Sequence, residues 1–307
     1  MYSYYLELLS QDNYPDFLNR YLGLSSVARL KDVGYFCGMD YASKNIYNFS
    51  EYISRFDHSL STALLTWKLT LSKDATVAAL FHDIATPCFS HVIDYMNLDF
   101  EKQETTERNN DKFLFNDRLL QSFLDEDNIS LYNLINFKNY TVIDLPRPML
   151  CADRIDGIIL TSSIWTKQLD INMLPIILSG LTIYQNEYNQ DEIGFNSLDV
   201  ANYIIEQESI INDYCHSKED TYMMLLLAKI VRTALKSNII NSDDLYNLGE
   251  KDLLYKMTNS KDFNLNSDLE LFYSIRKKQI PEIEIPKIKK RIISPMVNGK
   301  RIKTSSN

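Results

Sequence analysis

The sequence predicts a mainly α-helical protein, on three observations. Apolar residues recur at intervals of three and four, and one helix face is marked in this way by Leu60, Leu64, Trp67 and Leu71. Glycine and proline number only 8 each in 307 residues, too few for an all-β chain with many tight turns. Hydrophobic residues make up 45% of the chain and charged residues 24%, which is ordinary for a globular protein with a sizeable core.

The first part of the chain predicts helices with short connections. Short helices are expected in the first 35 residues because leucine and aromatic side chains recur there at helical spacing. Asp74 is expected to cap a helix over residues 75–84, which Pro87 ends because proline cannot continue a helix. A further helix is expected to begin near Ser90.

The later part of the chain predicts more helices and a terminal turn. Helices are expected at about residues 149–161, 198–213 and 222–235. The isoleucine-rich residues 283–293, followed by Asn298-Gly299, predict a short β-hairpin at the end. We place a soft boundary between a core, residues 1–195, and a smaller C-terminal helical lobe, residues 196–307.

Composition also indicates the cellular location and excludes some binding partners. The four cysteines form no CxxC pair, and the N-terminus lacks a basic-then-apolar leader, so a reduced cytoplasmic location is expected. The longest apolar run, residues 222–228, is far shorter than the roughly 20 residues that span a bilayer. No membrane role is therefore expected. The net charge of −9 argues against nucleic-acid binding by the whole surface.

The basic residues are concentrated at the C-terminus. From residue 287 to the end the chain has seven Lys and Arg residues and no Asp or Glu. We favour a solvated terminal strand pair as the explanation, since charge runs at chain ends are usually solvated. A patch that binds nucleic acid or a nucleotide effector is the alternative.

The most informative segment is His82-Asp83, which ends an otherwise apolar helix. An imidazole next to a carboxylate is costly in such surroundings unless both groups are satisfied, and a metal ion satisfies both. Two further features support this interpretation. His58 lies 24 residues upstream, a separation that a helix–turn–helix can bridge, and Asp153 lies in a later helix among apolar neighbours. Together they offer two nitrogen and two oxygen ligands and leave open positions for water and substrate.

This order of residues resembles the HD superfamily of metal-dependent phosphohydrolases, and more narrowly its deoxynucleoside-triphosphate triphosphohydrolase branch. The resemblance covers most of the chain. It is carried by residues 29–34 (RLKDVG), residues 55–60 (RFDHSL), His82-Asp83 with Phe89-Ser90-His91, and the helix that contains Asp153.

The resemblance implies an HD-type helical core, a homo-oligomer and one divalent metal ion (Mn, Fe, Mg, Zn or Ni). Its implied metal ligands are His58, His82, Asp83 and Asp153. The residues implied to contact the phosphate are Arg55 and Arg154, and those implied to act near the scissile phosphate are His91 and Asp94.

The chain departs from the pattern of the branch at several positions. Thr86 and Thr106 stand where the family has active-site histidines, and Gly157 and Thr161 stand where the triphosphohydrolases use Tyr and Asp to bind the sugar. Threonine cannot shuttle a proton near neutral pH as imidazole does.

The sequence is compatible with three functions. The first is metal-dependent hydrolysis of a nucleotide or another phosphorylated small molecule. The second is a catalytically impaired relative that binds metal and nucleotide as a regulatory module. The third is a nucleic-acid binder or nuclease that uses the basic tail.

Overall fold

A computed structural model describes residues 1–11, 13–103 and 109–302, and these residues are mostly helical, as predicted. The described part contains sixteen α-helices joined by short loops and four single turns of 3₁₀ helix. The α-helices are α1 (Tyr2–Ser10), α2 (Leu18–Leu22), α3 (Ser25–Ala28), α4 (Arg55–Thr70), α5 (Lys73–Phe81), α6 (Val92–Met96), α7 (Asn110–Asn116), α8 (Arg118–Asp127), α9 (Leu131–Ile135), α10 (Ala152–Ile164), α11 (Met173–Gly180), α12 (Leu198–Cys215), α13 (Lys218–Lys236), α14 (Asp244–Asn247), α15 (Glu250–Thr258) and α16 (Phe263–Ser274).

A small four-stranded sheet joins the middle of the chain to its end. Its strands are β1 (Leu181–Gln185), β2 (Asp191–Phe195), β3 (Met296–Val297) and β4 (Lys300–Arg301), in the order β1-β2-β3-β4. The β2–β3 pair is parallel and the other two pairs are antiparallel. Asn298 and Gly299 turn the chain with φ values of 48° and 74°, which suits a two-residue hairpin. The terminal hairpin is thus present, but it begins only at Met296, and the β1–β2 hairpin was not foreseen.

Helices α4 and α5 form a hairpin that brings two histidines together. Ser54 caps α4 with its hydroxyl on the amide of Asp57, and Leu71 ends the helix in a left-handed conformation with φ of 50°. The next cap is Ser72, whose hydroxyl accepts from an α5 amide, rather than Asp74 as the sequence suggested. Because only two residues link the helices, the start of α4 lies beside the end of α5.

The loop after α5 is held by polar groups from distant parts of the chain. Asn110 donates to the carbonyl of His82 at 2.7 Å and accepts from the amide of Ala85 at 3.1 Å. Glu250, at the start of α15, accepts from the amide of Phe89 at 2.8 Å, where the backbone has a φ of 65°. These contacts fix the loop that follows the His-Asp pair.

Buried side chains form a continuous core that includes residues from Tyr2 to Val297, on both sides of position 195. The boundary near residue 195 stays a prediction. In the described residues, none of the helices is both long and apolar enough to span a membrane.

The partly buried carboxylate of Asp40 and the fully buried carboxylate of Glu250 both approach Gly34. Asp40 Oδ2 and Glu250 Oε2 are buried without a hydrogen-bond partner among the described residues, and both crowd the α-carbon of Gly34. A β-carbon at position 34 would lie only 2.8 Å from the first oxygen and 2.9 Å from the second. Burial and the neighbouring Asp40 raise the pKa of Glu250 to about 8, and burial raises the pKa of Asp40 to about 7.

We expect Glu250→Gln to stabilise the protein at pH 8. An unperturbed glutamate ionises near pH 4.5, so between pH 4.5 and about 8 folded Glu250 keeps a proton that the unfolded chain has released. The stability that this proton provides is complete below pH 4.5 and is lost as the pH rises through about 8. Urea denaturation at pH 8 should show a gain in unfolding free energy on the order of 1–3 kcal/mol. The gain should be smaller at pH 5, and the exposed Glu284→Gln should show neither effect; an equal change in both variants would contradict the prediction.

Candidate metal centre

Four side chains from three helix ends converge at one point. His58 lies in the first turn of α4, His82 caps the end of α5, Asp83 follows it, and Asp153 lies in the first turn of α10. The two imidazole rings are 5.2 Å apart between centroids. Asp153 Oδ1 is 3.0 Å from His58 Nε2 and 3.7 Å from His82 Nε2. The structure therefore brings together all four residues that the sequence analysis proposed as ligands.

The donor atoms are close enough to share one cation. One ligand atom from each of His58, His82 and Asp83 lies within 4.8 Å of the other two. Asp153 reaches this group through its contacts with both imidazoles, and it also belongs to a second such group with Asp144 and Cys151. Two imidazole nitrogens and two carboxylates form a set that suits Zn, Mn, Fe or Ni.

Each histidine is oriented through its other ring nitrogen. His82 Nδ1 is 2.7 Å from the carbonyl of Ala79, so this nitrogen is the donor, and the buried Nε2 has no hydrogen-bond partner within the described residues. His58 Nδ1 is 2.7 Å from Asp156 Oδ2, and Asp156 Oδ1 accepts from the hydroxyl of Tyr5 at 2.9 Å. Outer contacts of this kind are typical of metal-binding histidines. The fully buried Asp156 was not identified from the sequence, although it lies one helical turn after Asp153.

The electrostatics of the cluster favour a positive charge between the carboxylates. Burial alone would lower the pKa of His58, but hydrogen bonds to Asp153 and Asp156 outweigh it and raise the pKa to about 10. Burial would raise the pKa of Asp153, but the two histidines hold it well below its usual range. Within the described residues His82 Nε2 has no hydrogen-bond partner, and the carboxylates lie close to both imidazoles. A divalent ion satisfies both features, so the residues present fit such an ion.

The two arginines that were expected to bind phosphate are both fixed at the site. Arg55 forms an ion pair with Asp83 at 2.8 Å and lies over the ring of Tyr35, with 5.0 Å from its guanidinium carbon to the ring centroid. Arg154 donates to the carbonyl of Leu145 at 2.8 Å and to that of Met149. Both side chains line the same cavity as the histidines.

His91 and Asp94 form a pair beside the cluster. His91 Nδ1 is 2.9 Å from Asp94 Oδ2, and the histidine lines the cavity. Burial lowers the pKa of His91, although Asp94 acts in the opposite direction. The lowered pKa favours the neutral imidazole, and with Nδ1 donating to Asp94 the other nitrogen, Nε2, can accept a proton.

Residues 55–136 match the family model for the HD domain. An HD domain is thus present, and it contains three of the four converging residues, while Asp153 lies beyond the matched segment.

Two curated proteins are similar to this chain. The chain is 24% identical over 262 residues to the uncharacterized protein YdhJ of Bacillus subtilis, a match that covers 82% of this chain and 77% of that protein. It is 30% identical over 104 residues to the metal-dependent phosphohydrolase cns2 of Cordyceps militaris, a match that covers 34% of this chain and 30% of that protein. The match to the metal-dependent phosphohydrolase covers only about a third of either protein, and the triphosphohydrolase branch stays a prediction.

The positions that depart from the triphosphohydrolase pattern differ in their surroundings. Thr86 is fully buried, and its hydroxyl has no hydrogen-bond partner in the described residues. Thr106 lies outside the described residues. Gly157 and Thr161 line the same cavity as His58 and His82. A β-carbon at Gly157 would lie only 2.9 Å from the hydroxyl oxygen of Tyr35, so this tyrosine fills the space that a side chain at 157 would need.

The cavity next to the cluster has a volume of about 750 Å³. This size is within the range of roughly 300–1,000 Å³ that is usual for small-molecule sites. Eight lysine and arginine residues and five aspartate and glutamate residues line it, although the whole chain carries a net charge of −9. The lining thus carries more cationic than anionic side chains, a balance that favours the binding of anions.

Proposed function

We propose that this protein is a metal-dependent phosphohydrolase in which His58, His82, Asp83 and Asp153 bind one divalent ion. The observation that carries the proposal is the convergence of these side chains at the wall of a cavity rich in lysine and arginine. His82 Nε2 is buried there and, within the described residues, has no hydrogen-bond partner. The HD domain and the similarity to a metal-dependent phosphohydrolase support it.

The bound ion would supply Lewis acidity to a phosphoryl oxygen and lower the pKa of a water molecule. The protein's own groups then orient the phosphate. Arg55 holds Asp83 in place and lines the cavity, and Arg154 is fixed by two backbone carbonyls at the same wall. A fixed guanidinium can donate two hydrogen bonds to a phosphate without a large loss of side-chain entropy.

His91 is the candidate for proton transfer, and Asp94 positions it. We expect His91→Gln to lower kcat by roughly 10²- to 10⁴-fold, the usual contribution of a general acid or base. The metal content should stay unchanged, because His91 contacts Asp94 rather than the four proposed ligands. Steady-state kinetics with elemental analysis of the same sample would test this, and full activity in the variant would remove His91 from the mechanism.

We further propose that the substrate is a nucleotide or another phosphorylated small molecule. The cavity combines the basic wall with aromatic side chains, among them Phe36, Phe49 and Trp165, against which an apolar or ring-shaped group can pack. The test is a panel of nucleotides and phosphate esters assayed with each of Mn, Fe, Mg, Zn and Ni. Metal-dependent release of phosphate or polyphosphate is expected from at least one compound.

One observation favours the second candidate function, a catalytically impaired module. Thr86, which replaces a family histidine, is buried and provides no proton-transfer group. If the protein bound metal and nucleotide but hydrolysed nothing in the panel, the regulatory function would replace the hydrolase. The homo-oligomer implied by the resemblance and the cytoplasmic location stay predictions.

A further inference from the structure

A segment of the basic C-terminal region lies across the cavity wall. We call residues 287–291 the strap. Lys289, Lys290 and Arg291 line the cavity that contains the proposed metal ligands. The sequence analysis favoured a solvated strand pair for these residues, but the strap has no regular secondary structure and contributes to the site.

The backbone of the strap is anchored on two sides. The amide of Lys289 donates to the carbonyl of Phe100 at 3.0 Å, and the amide of Arg291 donates to Asn212 Oδ1 at 2.9 Å. Ile288 is buried beside these anchors, and Lys287 pairs with Glu101 at 2.5 Å on the outside. The charged groups that face the cavity are therefore mounted on a fixed segment.

Two of these cations lack a counter-ion among the described residues. The only hydrogen bond of the Arg291 guanidinium within that part of the chain is to the carbonyl of Lys289, at 3.3 Å. Lys289 Nζ donates to the carbonyl of Lys102 at 3.2 Å. In the described ranges no carboxylate lies within ion-pairing distance of either side chain, whereas Arg147 pairs with Glu208 and Arg55 pairs with Asp83.

Burial acts against the charge of Arg291, but Cys215 and Glu208 raise its pKa, so the cost in the absence of an anion falls mainly on Lys289. Burial lowers the pKa of Lys289, and the neighbouring Arg291 and Arg147 lower it further, while Asp153 acts in the opposite direction. Lys289 is thus surrounded by like charges and interacts electrostatically with Asp153, one of the proposed metal ligands. Partly buried cations without partners are destabilising, and a bound anion would relieve this cost.

We propose that Lys289 and Arg291 form a second anion-binding subsite, which takes a second phosphoryl or carboxylate group of the substrate held at the metal centre. The inference rests on the proposed function, because it concerns the substrate of that same site. The proposed subsite gives the strap a role in substrate binding. It also restricts the substrate to compounds with two separated anionic groups.

The test is isothermal titration of the full chain, loaded with Mn(II), against three probes. Inorganic orthophosphate has one anionic group, inorganic tripolyphosphate offers further phosphoryl groups, and phosphoglycolate offers a carboxylate in place of the second phosphate. Heats from metal chelation by each probe are subtracted, and the Mn content is measured after each titration. The variants are Lys289→Gln/Arg291→Gln, Arg291→Lys and Lys287→Gln.

We expect the native protein to bind tripolyphosphate, phosphoglycolate or both at least about tenfold more tightly than orthophosphate, as suits charge-assisted hydrogen bonds. The double variant should lose this preference, with its affinity for orthophosphate changed by less than about twofold and its Mn content unchanged. Arg291→Lys should keep most of the preference. Lys287→Gln is the matched control, since Lys287 is on the strap but is 83% exposed and outside the cavity, and it should behave like the native chain.

Two results would overturn the subsite: no preference for the doubly anionic probes in the native protein, or an unchanged preference in the double variant. If the double variant did not fold, Lys289→Gln alone would decide, with a loss of about threefold or more expected. The two proposals can fail separately. If binding preferences depended on the strap but no compound were hydrolysed, the subsite would be supported and the hydrolase function contradicted. If hydrolysis occurred but did not depend on the strap, the hydrolase function would be supported and the subsite contradicted. The probe that gains the most affinity identifies the second group as phosphoryl or carboxylate.

Discussion

Asp83→Ala is expected to abolish hydrolysis and metal binding together. The substitution removes one of the two proposed carboxylate ligands. It also leaves the Arg55 guanidinium without its ion-pair partner, so that the fixed charge nearest to the metal at this position becomes positive instead of negative. A metal ion contributes several kcal/mol to the stabilisation of the transition state. The expected loss in kcat/KM is therefore about 10³-fold or more. Kinetics on the best compound from the panel, with elemental analysis of the same preparation, measure both effects.

The matched control for this prediction is Asp125→Ala. Asp125 is an exposed aspartate of α8 and lies outside the cavity, so its loss should leave activity and metal content unchanged. If Asp83→Ala kept a full equivalent of metal and its activity, Asp83 would not be a ligand. If both variants lost activity equally, the effect would be one of folding.

Asp156→Asn is expected to have the second largest effect, although Asp156 is not a proposed ligand. Its carboxylate accepts a hydrogen bond from His58 Nδ1 and so fixes the orientation of the ring. An asparagine keeps the size of the side chain but removes the charge that makes the imidazole a stronger ligand. Loss of such a partner typically costs about 10- to 100-fold in metal affinity. Competition against a metal indicator would measure this change directly.

Tyr5→Phe separates the role of Asp156 at the site from its role in the core. This substitution removes the other hydrogen bond to Asp156, from the Tyr5 hydroxyl, and leaves the contact with His58 in place. We expect it to lower the unfolding free energy by roughly 1 kcal/mol while metal affinity changes little. Equal losses of metal affinity in the two variants would show that Asp156 acts through general stability.

Much of the fold and the proposed ligand set could be predicted from local patterns. The helices expected at about residues 75–84, 149–161, 198–213 and 222–235 are all present, with ends that differ by a few residues, because helical spacing of apolar residues is a strong signal. His82-Asp83 stood out because a polar pair ends an apolar helix. His58 could be added because the chain has few other histidines. Asp153 could be added because the family resemblance supplied the order of the ligands.

The parts that escaped prediction depend on contacts between distant segments. Tyr35 fills the space above Gly157, and nothing in the sequence near either residue indicates that contact. The strap was visible as a run of basic residues. Its position at the cavity follows from hydrogen bonds of its backbone amides to the carbonyl of Phe100 and the side chain of Asn212. Asp156 could have been considered, because metal-binding histidines often donate their other ring nitrogen to a carboxylate and Asp156 lies one turn after a proposed ligand.

Anomalous X-ray diffraction from crystals grown with Mn(II) or Zn(II) is the most direct measurement of whether the four side chains share one cation. We expect a single anomalous peak per chain, at bonding distance, roughly 2.0–2.2 Å, from His58 Nε2, His82 Nε2 and carboxylate oxygens of Asp83 and Asp153. A peak elsewhere, or no peak with Asp153 turned away from both histidines, would contradict the account.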